Sequence, residues 1–122
     1  MKPAAKQVYF IKPVGMDGPI KIGCSKWPEH RLVDLSIWSP FPLEIIASGE
    51  GSHELERFIH RMFAESRSHK EWFHATPDLV ARILRVQAGM DIVAAFGAVA
   101  YFSKGKYPST QPKYRPAMAE AA

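Results

Sequence analysis

The chain has 122 residues, of which 47% are hydrophobic and 23% charged, and its formal net charge is +4. This length and balance are typical of one soluble globular domain with its own core. Cys24 is the only cysteine, which excludes an internal disulfide and a cysteine-rich zinc framework. The chain shows neither an apolar signal region nor an apolar run long enough to span a bilayer. We therefore expect a cytoplasmic protein with no membrane partner.

Positive charge is concentrated towards the C-terminus. Residues 1–76 carry ten Lys or Arg against nine Asp or Glu, and residues 77–122 carry six against three. A nucleic-acid-binding protein with so little net charge in its first part would need its cations gathered in one groove. Composition alone therefore does not indicate a nucleic-acid partner.

Hydrophobic patterning predicts alternating strands and helices. Runs of β-branched and aromatic residues bounded by turn residues predict three strands, at 6–12, 20–23 and 43–49. Helices are expected from Pro28 to just before Pro40, over 53–66, and from Thr76 onward. The order β-β-α-β-α predicts an α/β (α+β) fold in which a small three-stranded antiparallel sheet is flanked by helices.

The chain divides into three parts by pattern. Residues 1–76 form the main domain, residues 77–102 a C-terminal helical extension, and residues 103–122 a basic tail expected to be disordered. The most apolar stretch, residues 90–102, is interpreted as a buried helix or a partner-binding surface, and a homodimer through this helix is one use of it.

Three side chains are candidates for chemistry, each with an ordinary alternative. Glu56 lies at the edge of the apolar stripe of the 53–66 helix, where it can line a cleft or simply pair with Arg57 on the surface. Tyr9 is predicted beside Lys21 across the hairpin, which would lower the pKa of its hydroxyl, or it is an amphipathic residue at a sheet margin. Arg31 can hold a phosphate through two hydrogen bonds, or pair with an acidic neighbour on its helix.

The order and spacing of these residues resemble the GIY-YIG nuclease superfamily, in particular its small phage and bacterial subclass. The resemblance covers about 67 residues and stops near Phe73. Five segments carry it: Val8-Tyr9-Phe10-Ile11, Lys21-Ile22-Gly23, Pro28-Glu29-His30-Arg31-Leu32, Glu56-Arg57-Phe58-Ile59-His60 and Glu71-Trp72-Phe73.

The resemblance implies a role for each matching residue. Tyr9 would activate or orient the attacking water, and Arg31 would stabilise charge on the phosphorus. Glu56 would hold the single divalent metal. His60 matches the subclass histidine, whose role is left open between support of a neighbour, a phosphate contact and packing. Gly23 matches the glycine of the second motif and is assigned, with His30 and Lys26, to substrate binding.

The sequence departs from the superfamily pattern at three places. Gln7 replaces the first glycine of the family name, and Lys21 replaces the tyrosine of the second motif. Lys21 is usual in the subclass, so we expect it to assist deprotonation or to hold a phosphate. The late asparagine is missing because the chain contains no Asn. The Trp72-Phe73 segment occupies that region and is interpreted as core.

The expected function is that of an endonuclease that hydrolyses DNA phosphodiester bonds with a divalent cation, Mg²⁺ or Mn²⁺. Such a protein belongs in phage, mobile-element or other DNA-processing systems. Two alternatives stay open. One is a non-catalytic nucleic-acid-binding module on the same fold. The other is a protein-interaction module that docks through residues 90–102.

Overall fold

The computed structural model describes residues 5–102. It shows five strands in one antiparallel sheet of order β3-β1-β2-β5-β4, with helices on both faces. The elements are β1 (Gln7–Pro13), β2 (Ile20–Ser25), α1 (Pro28–Trp38), β3 (Leu43–Glu50), α2 (His53–Met62), β4 (Arg67–His69), β5 (Trp72–Phe73), α3 (Pro77–Gln87) and α4 (Ile92–Ala95), with a 3-10 turn at Ala64–Ser66 between α2 and β4.

The predicted fold class is confirmed, but the predicted number of strands is wrong. The sheet has two further strands, β4 and β5, which are only three and two residues long. Neither is long enough to show an alternating pattern. β5 exists because Phe73 pairs with Ile20 and Trp72 with Lys21 on the free edge of β2. The helix predicted over 53–66 is also shorter than expected. Its α-helical part ends at Met62.

Alternation along β1 assigns its side chains to two faces of the sheet. Val8 and Phe10 are fully buried in the larger core, which they share with Leu55 of α2. Tyr9 and Ile11 point to the opposite face, which α1 crosses, and they are also almost inaccessible to solvent. Strand β1 is therefore covered on both sides, so the hydroxyl of Tyr9 is held away from bulk water.

The apolar segment at residues 90–102 does not form the long helix that its composition suggested. Only Ile92–Ala95 is helical, and Phe96 stacks on Phe10 with 5.6 Å between ring centroids. Five of its apolar side chains are buried in the domain's own core, and the helix has only four residues, so the expected single docking helix is wrong. The members of this segment that are buried are Ile92, Val93, Ala95, Phe96 and Ala98.

Within the described part of the chain, no helix combines the length and apolarity that a bilayer crossing requires. The predicted basic tail at 103–122 lies outside the described residues.

Candidate functional site

The first part of the site is the contact between Tyr9 of β1 and Gly23 of β2. The two residues are directly opposed in the β1–β2 pair. A Cβ atom built on Gly23 would lie 2.5 Å from Tyr9 Cζ and 2.9 Å from Tyr9 Cε1, closer than real Cβ contacts come. The phenol ring therefore lies flat over the space that a side chain at position 23 would fill. Gly23 acts by being small, which fixes the direction of the Tyr9 hydroxyl.

Arg31 meets that hydroxyl from α1. The helix starts at Pro28, and the Arg31 backbone N–H donates to Trp27 O at 3.2 Å, which places Arg31 in the first turn. Burial raises the pKa of Tyr9, while a hydrogen bond and the positive charge from Arg31 lower it, and the charges of Glu71 and Glu56 raise it. The net direction is upward. Arg31, Glu71 and Glu56 thus lie within electrostatic reach of the Tyr9 hydroxyl.

The raised pKa corrects the sequence-based interpretation of Tyr9. We expected Lys21 to lower that pKa, but burial dominates and Arg31, not Lys21, is the nearby cation that acts on the hydroxyl. Tyr9 therefore carries its proton at neutral pH. Its neutral hydroxyl can donate or accept a hydrogen bond, but it is not ionised to the phenolate.

Lys21 is held by a different partner. Its Nζ atom lies 2.6 Å from Glu71 Oε1, and its side chain is only 9% exposed. The ammonium also lies 6.0 Å from the centre of the Trp72 ring. Glu71 precedes the short strand β5, whose pairing with β2 places it beside Lys21. The charge of Lys21 is thus matched inside the protein, which favours a supporting role over direct contact with a phosphate.

Replacing Glu71 with glutamine should destabilise the fold by about 1–2 kcal/mol, because the nearly buried Lys21 would lose its charged partner. Glu44→Gln is the matched control. Glu44 pairs with Lys12 at 3.6 Å in a more exposed setting, so its loss should cost less than about 1 kcal/mol. Urea denaturation of both variants measures the difference. Equal losses of stability would show that the Lys21–Glu71 pair stabilises the fold no more than the Lys12–Glu44 pair does.

Glu56 is a buried carboxylate on α2. Ser52 caps this helix by accepting a hydrogen bond from the Leu55 N–H, and Glu56 follows in the first turn with only 7% of its surface exposed. Its two oxygens face imidazoles, with Oε1 at 3.3 Å from His53 Nδ1 and Oε2 at 3.6 Å from His60 Nε2. The alternative of a surface pair with Arg57 is wrong.

His60 is anchored to the backbone. Its Nε2 lies 2.9 Å from Ile22 O, and since a carbonyl only accepts, this nitrogen carries the hydrogen. The ring also lies 5.1 Å from the ring centre of Phe73, which is fully buried as predicted. His60 therefore supports Glu56 at the edge of β2, and its Nε2 is not free to contact a phosphate.

The start of α1 carries the exposed part of the site. The side chain of Arg31 is 48% exposed, and its Nη1 lies 3.6 Å from Asp34 Oδ2, a loose surface pair. Such a pair holds the guanidinium weakly, so an anion can compete for it. Lys26 and His30 are exposed beside it, and the His30 ring lies 5.9 Å from that of Trp27. Their assignment to substrate binding stays a prediction.

Two residues near Glu56 were not predicted from the sequence to belong to the site. Cys24 of β2 and His53 of α2 each bring one ligand atom into a group with Glu56, in which all three atoms lie within 4.8 Å of one another. Burial and the charge of Glu56 raise the pKa of the Cys24 thiol to about 11. His53 had a detectable signal, since it follows the Ser52 cap and lies three residues before Glu56. Cys24 had none, because the fold alone brings it there.

The alkaline stability of the domain should depend on Tyr9. Its pKa is raised in the folded state, so the folded chain keeps a proton that the unfolded chain loses. The resulting stability is complete below the ordinary tyrosine pKa of about 10 and is lost as the pH rises through the folded value. Urea denaturation across this range should show a smaller alkaline loss for Tyr9→Phe than for the natural chain. Identical alkaline slopes would contradict the assignment.

The family model of the T5orf172 domain matches residues 6–88 of the chain. The matched range includes every strand, the helices α1 to α3 and all of the site residues described above. The chain belongs to the T5orf172 domain family. Neither the curated proteins nor the solved structures provide a match.

This finding corrects the expected assignment to the GIY-YIG superfamily, because the family model that matches is a different one. The five ordered segments were real features of the sequence, but the family name that they suggested was wrong. The T5orf172 match is compatible with a nucleic-acid-related module, and it leaves catalysis and metal dependence untested.

Proposed function

We propose that this T5orf172 domain is a DNA endonuclease that hydrolyses phosphodiester bonds with the help of a divalent cation. One observation carries the proposal. A half-exposed guanidinium, that of Arg31, reaches the hydroxyl of the buried Tyr9 within electrostatic range of the buried Glu56 carboxylate. A cation, a neutral donor and an anion that meet at a surface suit a phosphate group and its counterion.

Arg31 supplies the contact to the phosphate. Its fork of N–H groups fits two non-bridging oxygens, and its ion pair with Asp34 is loose and exposed. As negative charge grows on those oxygens during attack, a guanidinium already in place stabilises the transition state more than the ground state.

Tyr9 orients the reacting groups as a neutral phenol. Arg31 donates to its oxygen, which leaves the O–H hydrogen to be donated to a phosphate oxygen or to the attacking water. Gly23 keeps the ring from turning away, because the ring rests over its backbone. This arrangement places the nucleophile and the phosphate by fixed hydrogen bonds.

Glu56 is the residue that would hold the cation. A single carboxylate completed by water and substrate phosphate oxygens is a usual setting for Mg²⁺ or Mn²⁺. The position fits, because the carboxylate is almost buried and its Oε1 lies 3.3 Å from His53 Nδ1. A cation bound there supplies Lewis-acid polarisation of the phosphate and helps the leaving oxygen.

The test is nicking of supercoiled plasmid DNA with Mg²⁺ or Mn²⁺ and with a chelator. The natural chain should nick only with the cation, and Glu56→Gln should be slower by on the order of 10²-fold or more. Glu54→Gln is the matched control, because this carboxylate is on the same helical turn but its side chain is 67% exposed. Its activity should equal that of the natural chain.

Three results would contradict the proposal. DNA binding without cleavage in either cation would favour a non-catalytic nucleic-acid-binding module. Neither binding nor cleavage would favour a protein-interaction module. Nicking that survives both Glu56→Gln and Arg31→Ala would point to a contaminating nuclease.

A further inference from the structure

The cluster around Glu56 has an unusual set of donor atoms for a magnesium site. It contains a thiol sulfur from Cys24, an imidazole nitrogen from His53 and a carboxylate oxygen from Glu56, all within 4.8 Å of one another. Within residues 5–102, this is the group in which three side chains able to bind a metal ion lie close together. It joins two elements that are far apart in sequence, the end of β2 and the first turn of α2.

The local structure holds these donors in place. Ser52 caps α2, so His53 and Glu56 lie three residues apart on one face of its first turn. Cys24 Sγ lies 3.8 Å from Gly51 O, just before the cap, which ties β2 to the start of the helix. Gly51 has no room for a side chain, since a Cβ there would crowd Val8 Cγ2 at 3.0 Å.

The combination of sulfur, nitrogen and oxygen donors selects the class of metal. Mg²⁺ and Ca²⁺ take oxygen ligands, whereas thiolate and imidazole together suit Zn²⁺ and chemically similar cations such as Co²⁺. We propose that Cys24, His53 and Glu56 form a binding site for a transition-metal cation of the Zn²⁺ class, with one coordination position left open.

The geometry needs little adjustment to accept such an ion. Zinc binds sulfur at about 2.3 Å and nitrogen or oxygen at about 2.0–2.2 Å, so tetrahedral ligands are about 3.4–3.7 Å apart. The ligand atoms lie within 4.8 Å, so an inward movement of roughly 1 Å is enough. The side chain of His53 is 47% exposed and free to make that movement. Three protein ligands with an open fourth position are the pattern of catalytic zinc sites.

Binding requires deprotonation of one ligand. The Cys24 thiol gives its proton to solvent and binds as the thiolate, while His53 presents a neutral nitrogen lone pair. No oxidation or reduction takes place. The site shares Glu56 with the proposed hydrolytic centre, but the binding itself does not rest on the proposed function.

Cobalt(II) titration of the full chain tests the site without DNA. Co²⁺ bound by a thiolate shows a ligand-to-metal charge-transfer band in the near ultraviolet, which Mg²⁺ and Ca²⁺ cannot produce. The natural chain should show this band, and added Zn²⁺ should abolish it by displacement, whereas Mg²⁺ should not. Cys24→Ser should lose the band, and His53→Gln should weaken binding by about tenfold or more.

The control is His69→Gln, which removes an exposed histidine on β4 and should leave the titration unchanged. Cys24→Ala provides a second sulfur-free variant in case the serine variant misfolds, and circular dichroism verifies that each variant is folded. The proposal is overturned if the natural chain gives no thiolate band, or if a folded Cys24 variant binds Co²⁺ as tightly as the natural chain.

The outcome stays distinguishable from that of the nuclease proposal. A thiolate band in a chain that does not nick DNA supports the metal site and rejects the nuclease. Nicking with Mg²⁺ by a chain that gives no thiolate band does the reverse.

Discussion

Arg31→Ala is expected to slow DNA cleavage by on the order of 10²-fold or more without loss of folding stability. The large effect follows from the position of the guanidinium, which reaches the Tyr9 hydroxyl and remains half exposed to an incoming phosphate. The small effect on stability follows from its loose pair with Asp34, since exposed pairs contribute about 0–1 kcal/mol. Nicking rates and urea denaturation measure the two quantities separately.

Two further variants define the role of the guanidinium. Arg31→Lys keeps the charge but loses the planar fork, so it should recover only part of the rate. Arg61→Ala removes an exposed arginine from the last turn of α2 and should leave the rate unchanged. A rate for Arg31→Ala within about twofold of the natural chain would remove this residue from the site.

The main elements of the fold were predictable because their signals are local. Alternation marks β1 and β2, and the helical spacing of Leu55 and Ile59 marks α2. The strand β5 carries no such signal, since two residues cannot show a period and its pairing with β2 depends on the whole sheet. The long helix predicted from the apolar run after Met90 was wrong for a related reason. Hydrophobicity predicts burial, but it does not say whether the segment is buried as a long helix.

The candidate site was predictable in its members and less so in its contacts. Sequence order placed Tyr9, Arg31 and Glu56 in one group, and the structure brings Arg31 and Glu56 within electrostatic reach of the Tyr9 hydroxyl. The pKa direction of Tyr9 was wrong, because burial from both faces of the sheet outweighs a neighbouring cation. The pairing of Lys21 with Glu71 was also missed. It requires β5, which the sequence pattern does not reveal.

Cys24 shows where such reasoning stops. A single cysteine in an unremarkable strand gives no indication of a ligand, and only the docking of α2 against the end of β2 brings its sulfur to Glu56. Contacts between distant segments depend on packing, and packing is not encoded in any one motif.

Gly23→Ala is expected to destabilise the domain by about 1–3 kcal/mol and to abolish most of its DNA cleavage. The added methyl group would lie 2.5 Å from Tyr9 Cζ, so either the ring or the strand must move. Tyr9 is only 2% exposed, and β2 is held by pairing with β1. Urea denaturation gives the loss of stability, and the nicking rate reports the displaced hydroxyl.

A double-mutant cycle identifies the clash as the cause. In a Tyr9→Ala background the ring is gone, so Gly23→Ala should cost much less than it does in the natural chain, and the two losses should not add. Equal costs in both backgrounds would mean that the damage arises from the backbone of β2 and not from the phenol ring. If the coupling is found, a residue without a side chain sets the direction of the Tyr9 hydroxyl. The smallest residue of the second strand would then determine where Arg31 and a phosphate can meet.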